Sequence, residues 1–203
     1  MLADDDVNSI CQNVKNLTLD TSSTSAHLSR RYPNLYTLNI PSECQLFHDD
    51  HLGLRHLRQV TMKDINVLPS SIIKRIYTTH LISLSGLSTN SNVYPNMRNL
   101  SVNRDIAYPL ETVHSIIQHF PNLRSFTISL KLREPEYAEY YDCLNILLDG
   151  VHLPCLLFLK TNRIKNYDYN SWAKPWILSN ISMKWRSSSF DAFNINDNLI
   201  VNL

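Results

Sequence analysis

Hydrophobic and polar residues alternate along the chain in one recurring six-residue pattern, LxxLxL, in which L stands for a large aliphatic or aromatic residue. Such alternation predicts short strands, because it places the apolar side chains on one face and the polar ones on the other. The pattern begins at Val14, Leu35, Leu57, Met97, Leu123 and Leu156. Successive starts are about 21, 22, 40, 26 and 33 residues apart, and the gap of about 40 residues predicts one further strand between Asp64 and Val93. Residues 73–78 and 81–85 are the two candidates for it, and we favour the second.

Two copies of the pattern share a longer phrase whose spacing indicates the architecture. The residues from Pro95 and from Pro121 read PNMRNLSV and PNLRSFTI, about 26 residues apart, within the range of about 20 to 29 residues typical of leucine-rich repeats. One strand with a single apolar face is unstable alone, whereas a parallel stack of such strands buries these faces as one core. The sequence therefore predicts an α/β leucine-rich-repeat solenoid, with a curved parallel sheet inside and helices and loops outside.

Two of the connections between strands have helical periodicity. In residues 109–120 the apolar residues recur at helical spacing, Pro109 suits the first helical position, and Glu111 lies where the helix dipole favours an acid. Residues 135–148 carry a second apolar stripe that ends before Gly150, a common C-terminal stop. Residues 5–11 are a candidate opening helix, and the remaining connections are too short or too polar to predict helices.

The last part of the chain departs from the repeat. Residues 190–195 and 199–203 are apolar segments on either side of a turn-rich triplet, Asn196-Asp197-Asn198, which predicts a hairpin. Tryptophans at positions 172, 176 and 185 add apolar surface. Because a solenoid seals its exposed end with an atypical unit, we predict a single domain over residues 1–203. It would have an N-terminal cap at 1–13, repeats at 14–162 and a hairpin-like C-terminal cap at 163–203.

Composition and charge narrow the classes of function. The 203 residues include only three glycines, which argues against glycine-rich phosphate loops. The formal net charge is +1 and the basic residues are scattered along the sequence, so we expect no nucleic-acid partner and no membrane partner. The first residues contain three acids and no apolar run, and no stretch reaches the roughly 18 apolar residues of a membrane span. We therefore expect a cytoplasmic or nuclear protein.

Residues that could carry chemistry are few. The cysteines, at positions 11, 44, 143 and 155, form no CxxC pair and are expected to be small buried apolar groups. His48-Asp49-Asp50-His51 has ligand-like residue types but lacks a third and a fourth ligand, and its simpler interpretation is a polar loop in which an aspartate caps a helical turn. We predict no enzyme activity, no metal and no cofactor, with a metal-dependent enzyme using His48 and His51 as an alternative.

The polar positions of the strands are the candidate binding surface, because in a leucine-rich-repeat sheet they line the concave face that usually contacts a partner. The candidate binding residues are Asn99, Ser101, Asn103, Ser125, Thr127, Ser129, Phe158, Lys160 and Asn162. Most of them are small and neutral, and almost no aromatic residues accompany them, so a solvated strand face is the competing interpretation. The C-terminal part, around Phe158, Lys160 and residues 167–169, is richer in aromatic and charged residues, and we expect a partner to bind there first.

The strand openings YPNM and FPNL, repeats of about 26 residues and the ending WRSSSFDAF…LIVNL resemble the leucine-rich-repeat region of F-box/LRR-type proteins over nearly the whole chain. In that family an N-terminal F-box binds the adaptor subunit of a cullin-type ubiquitin ligase, and the repeats hold the protein to be ubiquitinated. Only residues 1–13 precede the first repeat, so we expect no F-box and no adaptor contact. The resemblance implies a non-enzymatic protein–protein interaction module with a protein partner of unknown identity. The alternative is a fragment or remnant without binding activity of its own.

Overall fold

The structure is a computed structural model that describes residues 10–19, 28–40, 54–68, 70–84, 87, 91–106, 109–130, 137–162, 173–180, 190–195 and 198–203. The strands in these residues are β1 (Asn16–Thr18), β2 (Thr37–Asn39), β3 (Gln59–Met62), β4 (Thr78–Leu81), β5 (Asn99–Ile106), β6 (Ser125–Leu130), β7 (Phe158–Asn162), β8 (Asp191–Ile195) and β9 (Asn198–Asn202). The helices are α1 (Leu28–Arg31), α2 (Ser70–Ile73), α3 (Pro109–His119), α4 (Tyr137–Leu148), α5 (Ala173–Asn180) and a 3-10 helix at Ile65–Val67.

The nine described strands belong to one sheet, in the order β1-β2-β3-β4-β5-β6-β7-β9-β8. The first seven strands are parallel and lie in chain order, so each pairs with the strand that precedes it in the sequence. β9 pairs antiparallel with β7, and β8 pairs antiparallel with β9 at the edge of the sheet. The chain is therefore an α/β protein with a mostly parallel sheet, and the predicted C-terminal hairpin is present.

The junctions between parallel strands repeat one backbone geometry. The carbonyl oxygen of Lys15, just before β1, accepts hydrogen bonds from the N–H groups of Tyr36 (2.8 Å) and Thr37 (2.9 Å). Equivalent carbonyl oxygens accept the same pair of N–H groups from each following unit, at 2.7–3.1 Å, and belong to Tyr36, Arg58, Tyr77, Arg98 and Arg124. Each of these carbonyls accepts two hydrogen bonds in this way, and the same geometry recurs at all six parallel junctions.

Asparagine side chains add a second link between neighbouring units. Asn96 Nδ2 donates to the carbonyl of Lys74 (2.7 Å), and Asn122 Nδ2 donates to the carbonyl of Pro95 (3.0 Å). Asn34 makes the equivalent bond to the first unit, at 2.9 Å. Each such bond contributes about 0.5–1.5 kcal/mol to stability. The recurring Pro-Asn phrase therefore has a structural role, since its amide ties the start of one strand to the turn before the previous one.

The apolar positions of strands and helices form one core. The strands contribute Leu38, Val60, Met62, Leu81, Leu100, Phe126, Ile128 and Leu159, and the two longer helices contribute Val113, Ile116, Tyr140, Cys143, Leu144 and Leu147. Before β5 and after α3, the rings of Tyr94 and Phe120 stack with centroids 5.5 Å apart. Burying a large apolar side chain stabilises the fold by about 1.5–3 kcal/mol. These helices therefore cover the face of the sheet that carries the core positions.

Our placement of the strand in the long gap is wrong. That strand is β4, which lies between the candidate segments 73–78 and 81–85 and overlaps each by one residue. Residues 76–81 read IYTTHL, so Thr79 stands where most other strands carry a large apolar residue. Thr79 is fully buried and pairs in register with Val60 on one side and Leu100 on the other. Residues 76–81 do not show the LxxLxL pattern, because the polar residue Thr79 occupies a core position.

The two longer predicted helices are confirmed. α3 coincides with the predicted residues 109–120, and its Leu110 N–H donates to Oε1 of Glu139 on α4 (3.0 Å). α4 covers the predicted segment 135–148 from Tyr137 onward. Gly150 follows it with φ of 72°, a left-handed conformation that glycine adopts without steric cost and that commonly ends a helix.

The remaining helices were not predicted. α1, α2 and the 3-10 helix are single turns, which are too short for a 3.6-residue periodicity to appear in the sequence. α5 lies in the tail, and Ile177 is its one buried residue among those whose burial is described. The candidate opening helix at 5–11 lies outside the described residues except for Ile10 and Cys11, and neither of these is helical.

Candidate interaction surface

The register gathers the predicted binding residues into rows on the face of the sheet opposite the core, which we call the exposed face. In β5, β6 and β7, Asn99, Ser125 and Phe158 lie side by side. Two residues further along the same strands, Ser101, Thr127 and Lys160 form a second row. Neighbouring residues in a row are about 4.8 Å apart, because that is the spacing between strands.

The other predicted residues lie further along the strands. Asn103 and Ser129 follow the second row and lie within the stretch where the β5–β6 register shifts, between Val102 and Ile106. Asn162 is the last residue of β7 and pairs with Asn198 of β9. The structure thus places six of the nine residues in two straight rows, and the other three lie beyond these rows.

Both rows continue across the earlier strands. The first row runs through Asn16, Thr37, Gln59, Thr78, Asn99, Ser125 and Phe158, and the second through Thr18, Asn39, Thr61, His80, Ser101, Thr127 and Lys160. All of them are exposed or half-buried, and the first row is linked by a hydrogen bond from Asn99 Nδ2 to Thr78 Oγ1 (3.0 Å). Most members are small and polar, as the sequence predicted, and His80 is an addition from the strand that we misplaced.

The C-terminal hairpin extends the exposed face with apolar residues. Lys160 pairs with Ile200 of β9, and Ile200 pairs with Phe193 of β8, so these side chains prolong the second row. At the far end, Ile195 of β8 is 46% exposed. The sequence predicted a richer C-terminal part around Phe158, Lys160 and residues 167–169; the last three lie outside the described residues. The contribution of the hairpin was missed, because its register cannot be read from the sequence.

A third row lies at one end of the strands and was also missed. It consists of the residues that immediately precede the first row, and we call it the rim: Lys15, Tyr36, Arg58, Tyr77, Arg98, Arg124 and Leu157. Their backbone carbonyls form the repeated junction described above, except that the carbonyl of Leu157 accepts from the N–H of Leu203 instead (2.8 Å). Four basic residues that are far apart in the sequence, those before β1, β3, β5 and β6, therefore lie in one row. In the sequence, each rim residue is the one that follows the first apolar residue of a strand pattern. That these residues form a row can be recognised only when the register of the strands is known.

The rim side chains are accessible and some contact each other. Tyr36, Tyr77 and Leu157 are 50%, 45% and 52% exposed, and Lys15 is also exposed. The guanidinium carbon of Arg58 lies 5.6 Å from the centroid of the Tyr77 ring on the next strand, within the range of a cation–π contact. Arginine and tyrosine are the residue types that dominate binding energy at protein interfaces. The rim is therefore the part of the surface whose composition is best suited to recognition.

One cysteine has a clear environment in the core. Cys143 on α4 is buried, and burial, followed by the nearby acids Glu139 and Asp142, raises the pKa of its thiol from about 9 to about 12. The neighbouring Tyr140 is buried as well, and desolvation raises the pKa of its phenol. Because the thiolate is the nucleophilic form, the protonated Cys143 thiol has the packing role that the sequence predicted. The Tyr140 phenol likewise stays neutral, because its pKa is raised as well.

The candidate metal cluster His48-Asp49-Asp50-His51 lies outside the described residues. In the part of the chain that the structure describes, no group of three or more His, Cys, Asp or Glu side chains is arranged to hold a metal ion. His152 and Asp149, which follow α4, form a pair with Nδ1 and Oδ2 2.6 Å apart. That carboxylate also accepts the backbone N–H groups of Val151 and His152, which identifies it as a turn-forming group.

Comparison with known proteins adds no relative. The chain matches no protein-family model, no curated protein and no solved structure. Across the described ranges, none of the helices has the length and apolar character needed to cross a membrane. The function of the surface is therefore inferred from its geometry and chemistry.

Proposed function

We propose that the chain is a non-enzymatic protein-binding module of the leucine-rich-repeat type, whose exposed face contacts a partner protein. One observation carries the proposal: seven consecutive parallel strands, in a common register, hold rows of polar side chains on one face while the core lies on the other. A repeated sheet of this kind offers an extended contact surface in which each strand supplies a few side chains.

The rigidity of the sheet supports this function. The backbone of a hydrogen-bonded sheet is already ordered, so binding avoids the entropy cost of ordering a loop and leaves only about 0.5–1.5 kcal/mol for each side chain that is immobilised. The exposed face also offers varied chemistry along its length, from Asn and Thr on β1 and β2 to Phe158, Ile200 and Phe193 at the hairpin. Polar residues would then set the specificity, and the apolar end would supply the larger part of the binding energy.

The resemblance to F-box/LRR-type proteins fits this proposal. On that resemblance, the described strands would correspond to the repeats that hold a protein to be ubiquitinated, in the cytoplasm or the nucleus. The Pro-Asn openings, which are among the features that carry this resemblance, tie neighbouring units together through Asn34, Asn96 and Asn122. The proposed activity is therefore recognition by the sheet, independent of any ligase adaptor.

Substitution at the centre of the exposed face tests the proposal. Thr127 is half-buried between Ser101 and Lys160 in the second row. The variant Thr127→Arg places a long side chain in the middle of the row, and we expect this steric obstruction to reduce recovery of a partner by about tenfold, which corresponds to about 1.4 kcal/mol. Recovery is measured by quantitative mass spectrometry after affinity capture from an extract of cells that express the chain.

His114→Arg is the matched control, because His114 is exposed on α3, on the helix-covered side, and gains the same side chain. The two variants should have similar melting temperatures, and only Thr127→Arg should lose the partner. Equal recovery by both variants would show that the exposed face is not the contact surface.

A further inference from the structure

All the charged side chains of the rim are positive. Four of its seven side chains are cations, Lys15, Arg58, Arg98 and Arg124, and two are tyrosines. The turn residues that precede them add Arg55, Lys74 and Arg75. The five-residue segments that open the seven parallel strands, at 12–16, 33–37, 55–59, 74–78, 95–99, 121–125 and 154–158, contain no Asp or Glu. Seven cations without an acid among them attract anions more strongly than the net charge of +1 suggests.

Two of these arginines are held in place by the fold. Nη1 of Arg58 donates to the carbonyls of Arg55 and Leu57, both at 2.9 Å, while its guanidinium lies over the Tyr77 ring. Nη1 of Arg98 donates to the carbonyl of Asn122 on the next unit (3.0 Å). A guanidinium carries five N–H donors in a planar fork, so these bonds orient the group and leave donors for a ligand. Orientation in advance lowers the entropy lost when a carboxylate binds.

Two described acids near the C-terminal strands, Asp149 and Asp191, do not neutralise the rim. Asp149 precedes β7, but its carboxylate is occupied by two backbone N–H groups and by the ring of His152. Asp191 lies on β8, which is separated from the strand that follows Arg124 by β7 and β9. The cations of the rim are therefore exposed to a charged partner rather than compensated within the described part of the fold.

We propose that the rim binds an extended acidic polypeptide segment, with carboxylates on the cations and an apolar residue against Leu157. This inference rests on the proposed function, because it names the partner chemistry that the module recognises. From Lys15 to Leu157 the rim crosses six strand intervals, about 29 Å, which an extended peptide of about nine residues spans. Leu157 is 52% exposed and adjoins Phe158. An apolar end suits a polypeptide better than a nucleic acid, which offers phosphate and base stacking along its whole length.

Fluorescence anisotropy with two labelled peptides tests the inference on the full chain. One peptide of about ten residues alternates Glu with Ser and ends on Leu, and its control carries Gln in place of each Glu. We expect the Glu peptide to bind about tenfold more tightly than the Gln peptide, and this preference to shrink at about 0.5 M NaCl, where screening is strong. Equal binding of the two peptides would overturn the proposal.

Charge reversal locates the site. Arg124→Glu is expected to weaken binding of the Glu peptide about fivefold, and Lys15→Glu with Arg124→Glu more strongly, because attraction is replaced by repulsion. Lys63→Glu is the matched control, since Lys63 is exposed at the opposite end of β3 and its reversal changes the net charge equally. A loss with Lys63→Glu as large as with Arg124→Glu would show that only overall charge matters and would overturn the assignment to the rim.

A single-stranded oligothymidylate of about ten nucleotides is measured in parallel. Tighter binding of this oligonucleotide than of the Glu peptide would overturn the inference in favour of a nucleic-acid partner. The experiment also separates the two proposals. A partner lost on Thr127→Arg together with no binding of the Glu peptide refutes the rim inference alone, whereas peptide binding with no effect of Thr127→Arg on capture refutes the contact role of the exposed face.

Discussion

Replacing Phe126 by alanine is expected to lower the free energy of unfolding by about 3–5 kcal/mol. Phe126 is the second residue of β6 and is fully buried, and it pairs in register with Leu100 on one side and Leu159 on the other. Alanine removes the transfer energy of the ring and leaves a cavity that neighbouring strands cannot close without breaking their shared register. Because domains are usually stable by only about 5–15 kcal/mol, the loss should be a large part of the total.

Urea denaturation followed by circular dichroism measures this effect. The control is Ser125→Ala on the adjacent residue, which lies on the exposed face and should change stability by less than about 0.5 kcal/mol. A similar loss for both variants, or none for Phe126→Ala, would mean that β6 does not present alternate residues to the core and to solvent.

Thr79→Val is expected to act in the opposite direction and raise the free energy of unfolding by about 1–2 kcal/mol. The Thr79 side chain is fully buried between Val60 and Leu100, and its hydroxyl has no hydrogen-bond partner among the described residues. Valine has nearly the same shape and carries no group that must be removed from water. For a chain of about this size, 1 kcal/mol raises the melting temperature by roughly 2–4 °C.

Thr127→Val is the matched control for this substitution. Thr127 is half-buried on the exposed face, so the same chemical change should leave stability within about 0.5 kcal/mol of the original chain. Thermal denaturation of the two variants side by side gives the comparison. A decrease in melting temperature with Thr79→Val would show that the Thr79 hydroxyl is hydrogen-bonded in the folded protein, and would contradict its description as a buried group without a partner among the described residues.

The sequence predicted those strands whose own alternation of apolar and polar residues shows which side chains face the core. Leu38, Val60, Leu100 and Phe126 lie at core positions that alternation alone identifies. The helix α3 was predicted from its own helical periodicity, since its 11 residues make three turns with apolar residues at helical spacing. Thr79 shows where this approach fails: one hydroxyl at a core position was enough to move the predicted strand, because a pattern cannot show that a polar residue is buried by its neighbours.

The candidate surface was predicted less completely, because it depends on which strands are neighbours. Ser101, Thr127 and Lys160 were identified from alternation, and the structure places them in one row. The alignment of Arg58 with Tyr77, in contrast, depends on the register of β3 and β4, and the latter strand was misplaced. The apolar extension by the hairpin depends on an antiparallel register that no single strand encodes. Properties shared between strands therefore had to come from the structure.

The most direct test of the account is a hydroxyl-radical footprint of the chain with and without its captured partner. If the exposed face and the rim form the contact surface, oxidation of Tyr36, Tyr77 and Phe158 should fall about threefold or more on binding, as solvent is excluded from an interface. Leu178 on α5, which is 50% exposed, should be oxidised equally in both states. Protection of Leu178 or of the exposed residues of α3, with Tyr36, Tyr77 and Phe158 unchanged, would contradict the account.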